Sequence, residues 1–446
     1  MGARVLRWIV CALFAVAAVP ARATLPIQHW QTAAGTRVYF VENHDLPMID
    51  LSVEFPAGAA YDSPDNSGAA SMTQRLLRLG AEGMNEEEIA RGIADVGARL
   101  SGSFDTDRAG LSLRTLSSRE ERDRALGIFA RVLQKPVFPE AVLEREKLRL
   151  VAALKEADTK PDTIAGRAFQ RMLYRDHPYA LRTTGEVATV QKLTRQDLAD
   201  FHRRHYLSSR AVVAIVGDLT RKEAERIAEQ VTSGLPQDGG ANAEIPAVPP
   251  LRDAATRLIP HPATQSHIAI GGLGISRHDP DYFPLVVGNH ILGGGGFVSR
   301  LTEEVRTKRG LAYSVYSYFS PLLVRGPFQI GMQTQREQAQ QALDIVRAVL
   351  REFVAEGPTQ TELTAAKKNI IGGFPLRIDS NRDIHGYLAI IGFYRLPLTY
   401  LDDYIRNVEK LTVKDIRDAF ARRVDPERMV TVVVAGGKDG GDTPAN

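Results

Sequence analysis

Hydrophobic and polar positions along the chain follow two different periods, one typical of strands and one typical of helices. Apolar residues alternate with polar ones in short segments, which predicts strands at 50–55, 110–114, 266–271 and 326–332. Longer segments repeat apolar positions every three or four residues, which predicts helices at 119–134 and 139–158. Because the helices come in groups, the pattern favours an α+β fold over a doubly wound parallel sheet.

The pattern also repeats itself within the chain. Residues 193–200 (LTRQDLAD) recur as 411–418 (LTVKDIRD), 218 positions later, and each copy continues into a β-branched strand, at 211–217 and 429–435. A helical stripe repeats at an offset of 217, with Ala125, Leu126, Ile128, Val132 and Leu133 corresponding to Ala342, Leu343, Ile345, Val349 and Leu350. Short amphipathic helices can resemble each other by chance. Agreement on nearly one offset favours an internal duplication.

The ends and the middle of the chain predict the domain boundaries. Residues 1–23 have the positive start, short apolar run and small-residue end of an export signal, and an uncleaved anchor is the alternative. Residues 234–250 are rich in Gly, Pro, Ala and Asn, which is typical of a linker, and 438–446 are expected to be a disordered tail. The two predicted domains therefore span 24–233 and 251–437.

Composition narrows the classes of partner and chemistry. Removal of the signal takes away Cys11, the only cysteine, and three arginines, so the formal charge falls from +3 to 0. A cysteine-free mature chain uses neither disulfides nor thiol chemistry. Its neutral balance argues against a nucleic-acid partner. A length of roughly 420 residues, 44% hydrophobic before cleavage, exceeds what one core usually serves.

Residues 293–318 contain the chemically most informative pattern. Four glycines precede a charged helical segment, Gly310 ends it, and an alternating strand begins at Leu311. Arg306 and Tyr313 are thereby placed on either side of a helix-to-strand corner. A fixed cation and a phenol suit an oxygen that gains negative charge, as a peptide carbonyl does during hydrolysis. The alternative is an exposed helix arginine beside a half-buried strand tyrosine.

The same stretch resembles the second-domain signature of the pitrilysin, or insulinase, family. The resemblance rests on residues 299–301 (SRL), 304–306 (EVR) and 309–315 (RGLAYSV), with the glycines around them. It implies two homologous domains, each a mostly antiparallel sheet with helices packed on one face, forming a clam shell. It also implies that Arg306 and Tyr313 bind substrate and stabilise the tetrahedral intermediate. Gly294, Gly295 and Gly296 are candidates for substrate contact, and a flexible turn is the alternative for them.

The zinc half of that family's site is missing from the sequence. Active members carry His-x-x-Glu-His on a helix of the first domain. Here Ser71, Gln74 and Arg75 occupy the motif positions, and the third ligand position falls near Val151. These residues are poor zinc ligands or cannot coordinate at all. His202 and His205 form the only close histidine pair, which favours a surface helix over a metal site.

The resemblance therefore implies a divided peptidase. We expect no cofactor in this chain, a homologous zinc-bearing partner in a heterodimer, and a peptide substrate that pairs with an exposed strand. Segments 100–104 and 311–319 are candidates for that strand, with core strands as the alternative. The signal predicts export, and the resemblance to bacterial relatives implies the periplasm with no membrane span after cleavage. A non-catalytic scaffold or a peptide-binding protein of the same fold remains the rival interpretation.

Overall fold

The computed structural model describes residues 26–237 and 244–435, and it contains two sheets with their own sets of helices. The strands are β1 Gln28–Gln31, β2 Arg37–Glu42, β3 Met48–Phe55, β4 Gly80–Ala81, β5 Met84–Asn85, β6 Arg99–Phe104, β7 Ala109–Leu116, β8 Val212–Gly217, β9 Ala255–Pro260, β10 Gln265–Leu273, β11 Ala312–Phe319, β12 Pro327–Gln335 and β13 Val430–Ala435. The helices are α1 Ala69–Leu76, α2 Glu86–Ala94, α3 Arg119–Gln134, α4 Glu140–Ala157, α5 Pro161–Tyr174, α6 Val187–Val190, α7 Arg195–His205, α8 Arg221–Thr232, α9 Tyr282–Asn289, α10 Ala339–Glu356, α11 Gln360–Gly373, α12 Asn381–Phe393, α13 Tyr400–Glu409 and α14 Val413–Arg423.

The two large sheets have the same strand order, as expected for a duplicated unit. The first runs β1-β2-β8-β3-β7-β6, and the second runs β11-β12-β10-β13-β9. Read from its opposite end, the second sheet has the order β9-β13-β10-β12-β11. This order corresponds strand by strand to β2-β8-β3-β7-β6 of the first sheet, and β1 has no counterpart. In each sheet one pair is parallel, β2 with β8 and β9 with β13, and the other pairs are antiparallel. The prediction of an α+β fold with two related sheet-and-helix domains is confirmed.

The recurring sequence at 193–200 and 411–418 has a local structural reason. Thr194 and Thr412 cap α7 and α14, and each hydroxyl accepts a hydrogen bond from the backbone N–H of the aspartate three residues later. Asp197 and Asp415 in turn accept from the backbone N–H of their threonine. Such a capping box satisfies donors at the helix start, so the repeat preserves the point at which each helix begins.

Most predicted elements occur within two residues of their expected ends. Helix α3 has the expected bounds, and α4 is one residue shorter than expected at each end. The predicted strands at 50–55, 110–114, 266–271 and 326–332 are β3, β7, β10 and β12. Alternation in sequence therefore located the sheet strands, because successive side chains of a strand point to opposite faces of the sheet.

Each sheet has its own helices on one face, and the second face is covered by a helix from the other half of the chain. In β2, Val38 and Phe40 belong to the core shared with α1 and α3, whereas Tyr39 and Val41 belong to the core that contains α12. Reciprocally, α5 places Phe169 against the β13 face that carries Val430, Val432 and Val434. This exchange joins the two domains through buried apolar surface.

The strands named as candidates for peptide pairing both end their sheets. Strand β6 is the last strand of the first sheet, and β11 is the last strand of the second sheet. An edge strand has backbone donors and acceptors without a partner strand on one side. Residues 1–23, the central part of the 234–250 linker and the 438–446 tail lie outside the described residues. Across 26–237 and 244–435, no helix is both long and apolar enough to cross a membrane.

Candidate functional site

The corner that carries Arg306 and Tyr313 is built from a wide helical turn followed by a bulged strand. Residues Thr302–Thr307 form a π-type turn, and Gly310 adopts a φ of 63°, a left-handed conformation that favours glycine. Strand β11 then shifts register between Ala312 and Ser314, which leaves Tyr313 between the two paired positions. A bulge re-aims the extra side chain, and Tyr313 is 74% exposed.

Arg306 is held between two aromatic rings. Its guanidinium carbon lies 5.5 Å from the centre of the Tyr313 ring and 4.9 Å from the centre of the Phe297 ring. Cation–π contacts of this kind orient an arginine without neutralising it. The structure therefore brings together the two residues that the sequence placed on either side of the corner.

Arg306 differs from the other cations of its segment. Arg300 pairs with Glu362 at 2.6 Å, Lys308 pairs with Glu304 at 2.6 Å, and Arg309 pairs with the same Glu304 at 2.5 Å. Within the described residues, no carboxylate forms an ion pair with Arg306. Its charge is therefore available to an anionic or strongly polar ligand.

Phe297 is a member of this site that the sequence reasoning missed. Phe297 and Val298 follow the glycine run and are 75% and 78% exposed. Two consecutive large apolar side chains in water commonly mark a contact surface. The position of Phe297 directly after four glycines was the available signal.

Packing accounts for most of the glycine run. A Cβ on Gly293 would lie 2.4 Å from the hydroxyl of Ser317, one on Gly294 would lie 2.6 Å from the amide nitrogen of Asn289, and one on Gly295 would lie 2.5 Å from the carbonyl of His290. Gly296 has a φ of 65° and open space around it. The geometry favours a structural role for the first three, while substrate contact by Gly294, Gly295 and Gly296 stays a prediction.

An ion pair occupies the positions of the first domain that correspond to the family's zinc motif. Arg75, at the end of α1, donates to the carboxylate of Glu146 on α4 at 2.7 Å. Glu146 is only 2% exposed and also accepts from Arg145 at 3.1 Å and Arg149 at 2.6 Å. Burial alone would raise the pKa of Glu146, but the guanidiniums around it outweigh burial and hold the pKa below its usual value.

The other motif positions also serve packing. The Gln74 amide donates to the Gly110 carbonyl at 3.2 Å and leaves no room for a side chain at Gly102 on the neighbouring edge strand. Val151 is 8% exposed in the first core. A hydroxyl, an amide, a guanidinium and an isopropyl group do not form a zinc site. No group of three or more potential metal ligands occurs among residues 26–237 and 244–435.

The two histidines of α7, His202 and His205, contact different neighbours. His202 is buried, bonds to the Leu133 carbonyl at 2.9 Å and stacks on Tyr206. His205 packs against Phe201. Burial lowers the pKa of each imidazole to about 4. The expectation of a surface position is therefore wrong for His202, which is 7% exposed and packs in the core.

Comparison with known proteins identifies the family to which the chain belongs. Residues 37–186 match the family model for insulinase (peptidase family M16), and residues 192–370 match the model for the peptidase M16 inactive domain. A crystal structure of a peptidase M16 inactive domain from Pseudomonas fluorescens is 40% identical, with a TM-score of 0.89, covering 93% of this chain and 98% of that one.

Curated relatives extend the match over most of the chain. A Helicobacter pylori protein called non-peptidase homolog YmxG is 26% identical over 406 residues, covering 90% of this chain and 92% of that protein. A Bacillus subtilis protein called uncharacterized zinc protease YmxG is 23% identical over 354 residues, covering 79% of this chain and 85% of that protein. The resemblance found in the sequence is confirmed, and the chain belongs to the M16 (insulinase, or pitrilysin) peptidase family as a member with the inactive type of M16 domain.

Proposed function

We propose that this protein is the non-zinc subunit of a heterodimeric zinc metallopeptidase and supplies Arg306 and Tyr313 to the shared active site. The observation that supports this most strongly is the state of Arg306. It is oriented by Phe297 and Tyr313 and has no ion-pair partner among the described residues, whereas Arg300, Lys308 and Arg309 each have one.

The chemistry of the pair suits peptide hydrolysis. Attack of water on a peptide carbonyl moves negative charge onto the carbonyl oxygen, and positioned donors lower the barrier by stabilising that charge. In the proposed complex, Arg306 holds the substrate backbone or carbonyl and Tyr313 donates a hydrogen bond to the oxyanion. Tyr313 is 74% exposed, so a substrate can reach its side chain.

The partner is proposed because this chain lacks the other half of the reaction. Ser71, Gln74, Arg75 and Val151 do not fit zinc, and Glu146 already has three arginine partners. A homologous subunit with an intact His-x-x-Glu-His motif would supply the metal, its water and the general base. Edge strands β6 and β11 are the proposed places for an extended peptide to pair. Export to the periplasm is part of the same proposal.

A non-catalytic scaffold or peptide-binding protein is the second candidate. It is favoured by the resemblance to a relative named as a non-peptidase homolog and by the inactive-domain match. A scaffold has no need for an unpaired cation beside an exposed phenol. The two candidates therefore predict different effects of removing the Tyr313 hydroxyl. Peptide turnover by the complex falls if the hydroxyl is catalytic, whereas a scaffold has no turnover to lose.

The test uses the complex isolated from the native host through a tag on this protein. Tyr313→Phe is compared with wild type in turnover of a quenched peptide, after the co-purifying chain has been identified by mass spectrometry. Loss of one oxyanion donor costs about 3–4 kcal/mol, so turnover should fall by about a hundredfold or more while the complex still assembles.

Tyr316→Phe is the matched control. Tyr316 lies on the same strand, is 48% exposed, and stacks with Tyr318 rather than with Arg306. Its loss of a hydroxyl should leave turnover unchanged. Equal turnover of wild type and Tyr313→Phe would remove the catalytic role, and a complex without peptidase activity would favour the scaffold.

A further inference from the structure

A cavity of about 560 Å³ lies in the second domain and shares no lining residue with the Arg306 corner. It is open to solvent on one side and is lined by the end of β10, by the ends of α10 and α14, and by linker residues Pro250 and Leu251. Its volume falls within the range of about 300–1,000 Å³ that is usual for small-molecule sites. The cavity therefore has the size of a ligand site.

The lining combines an apolar floor with a cationic rim. Leu273, Phe328 and Met429 are buried apolar residues of the floor. The rim carries five arginines, which are Arg325, Arg417, Arg422, Arg423 and Arg428. Asp425 is the acidic residue that lines the cavity with them. This combination suits a ligand with an apolar body and an anionic group.

Carboxylates hold four of these arginines in place. Arg422 and Arg423 bind Asp281 at 2.7 and 2.8 Å, and Arg423 also binds Asp279 at 2.9 Å. Arg428 binds Asp425 at 2.6 Å and Arg417 binds Asp418 at 2.9 Å. These pairs account for the charge of four cations and fix the shape of the rim.

Arg325 is the exception. It donates to the backbone carbonyls of Gly274 at 3.0 Å and Leu273 at 3.2 Å, and within the described residues no carboxylate pairs with it. Burial is the largest cause that lowers the pKa of Arg325, and Arg423 lowers it further, while Asp279 raises it in part. A partly buried cation without an ion-pair partner is stabilised when an anion binds beside it.

We propose that this cavity binds a small organic anion, with its charged group against Arg325 and its apolar body against Phe328 and Met429. The carbonyl contacts orient the Arg325 guanidinium at the edge of the cavity. The apolar body of the ligand would bury surface against Phe328 and Met429, which adds to the affinity. This site is independent of the proposed peptidase role, so either can fail without the other.

The test uses the whole protein and the fluorescent probe 8-anilinonaphthalene-1-sulfonate, an apolar body with one anionic group. The probe should bind, dodecanoate should displace it, and neither dodecanol nor inorganic phosphate should do so at the same concentration. Arg325→Gln should raise the dissociation constant of dodecanoate about tenfold, the effect of one charge-assisted hydrogen bond.

Arg37→Gln is the matched control for loss of a partly buried cation. Arg37 likewise donates to a backbone carbonyl, that of Gly392 at 3.1 Å, and lies near a second arginine, but it is on the first sheet. The control should bind dodecanoate as wild type does. Equal weakening by both variants, or no weakening by Arg325→Gln, would overturn the proposal.

A second variant narrows the cavity between Leu251 and Met429 without changing its charge. A Cβ on Gly272 would meet only ordinary contacts, 3.7 Å from the Arg428 carbonyl and 4.0 Å from Leu251. Gly272→Val should therefore fold and lose dodecanoate binding. Retained binding in folded Gly272→Val, or displacement of the probe by dodecanol as effectively as by dodecanoate, would also contradict the assignment.

Discussion

Arg75 in the first domain and Arg306 in the second are both partly exposed arginines on short helical segments, yet their surroundings are opposite. Arg75 donates to a buried carboxylate that three arginines share. Arg306 lies between two aromatic rings and has no ion-pair partner within residues 26–237 and 244–435. The first cation is part of the structure, and the second is available to a ligand.

The difference shows that the two halves of a duplicated fold can surround an arginine in opposite ways, one with a buried carboxylate and the other with exposed aromatic rings. In the first domain the ion pair between Arg75 and Glu146 joins α1 to α4. At the second corner, the exposed Phe297 and Tyr313 cost solvation without adding to a core. Exposed aromatic side chains of this kind are expected at a surface that binds a ligand or another protein.

Replacing each of the two arginines with methionine removes the charge and keeps a long side chain. The two replacements should affect peptide turnover differently. In the native complex, Arg306→Met should lower peptide turnover by about a hundredfold or more, since it removes a cation aimed at the developing charge. Arg75→Met should leave turnover nearly unchanged. Parallel kinetic measurements on the two variants check this contrast, and similar losses in both would break it.

The contact that joins the two domains should show the next largest effect, on stability. Asp107 is fully buried and accepts hydrogen bonds from the hydroxyls of Tyr179 at 2.6 Å and Tyr394 at 3.0 Å, and from the Leu323 N–H at 2.8 Å. Asp107→Ala leaves these buried donors without an acceptor, so the free energy of unfolding should fall by about 2–4 kcal/mol.

Asp107→Asn is the control for that change, because it keeps the side chain's shape and one acceptor oxygen. In urea unfolding, the free energy of unfolding of Asp107→Asn should lie between the values for Asp107→Ala and wild type. If alanine proved no less stable than asparagine, the three hydrogen bonds would not hold the domains together.

A smaller, acid-dependent effect is expected at Glu146. The pKa of Glu146 is lowered in the folded protein, so its stabilisation is present above the unfolded value of 4.5 and is lost as the pH falls through the folded pKa. Its partners are partly exposed and recover water when the carboxylate is removed. Glu146→Gln should therefore cost about 1–2 kcal/mol at pH 7.

The pH profile distinguishes this ion pair from simple packing. The stability difference between wild type and Glu146→Gln, measured by urea unfolding, should shrink as the pH is lowered below 4.5. A difference that stayed constant with pH would mean that charge at Glu146 does not stabilise the fold.

The sequence was sufficient to predict the elements and their duplication, because both depend on local periodicity and capping. Helix α3 and strands β3, β7, β10 and β12 follow from apolar spacing alone. The Arg306–Tyr313 corner was also predictable, since seven positions with an intervening Gly310 define a local turn.

Contacts between distant segments were not predictable in this way. Arg75 and Glu146 are 71 positions apart, and no local pattern pairs them. Coverage of each sheet by a helix from the other half depends on how the domains pack. The bulge that turns Tyr313 outward depends on the register between β11 and β12, which alternation within β11 does not fix.

Zinc content measured together with peptidase activity tests the central claim most directly. The isolated protein should contain no stoichiometric zinc by metal mass spectrometry and should not cleave a quenched peptide. The complex purified from the native host should contain zinc and cleave the peptide in a Tyr313-dependent way. One zinc ion per isolated chain, or cleavage by that chain alone, would contradict the division of the site between two subunits.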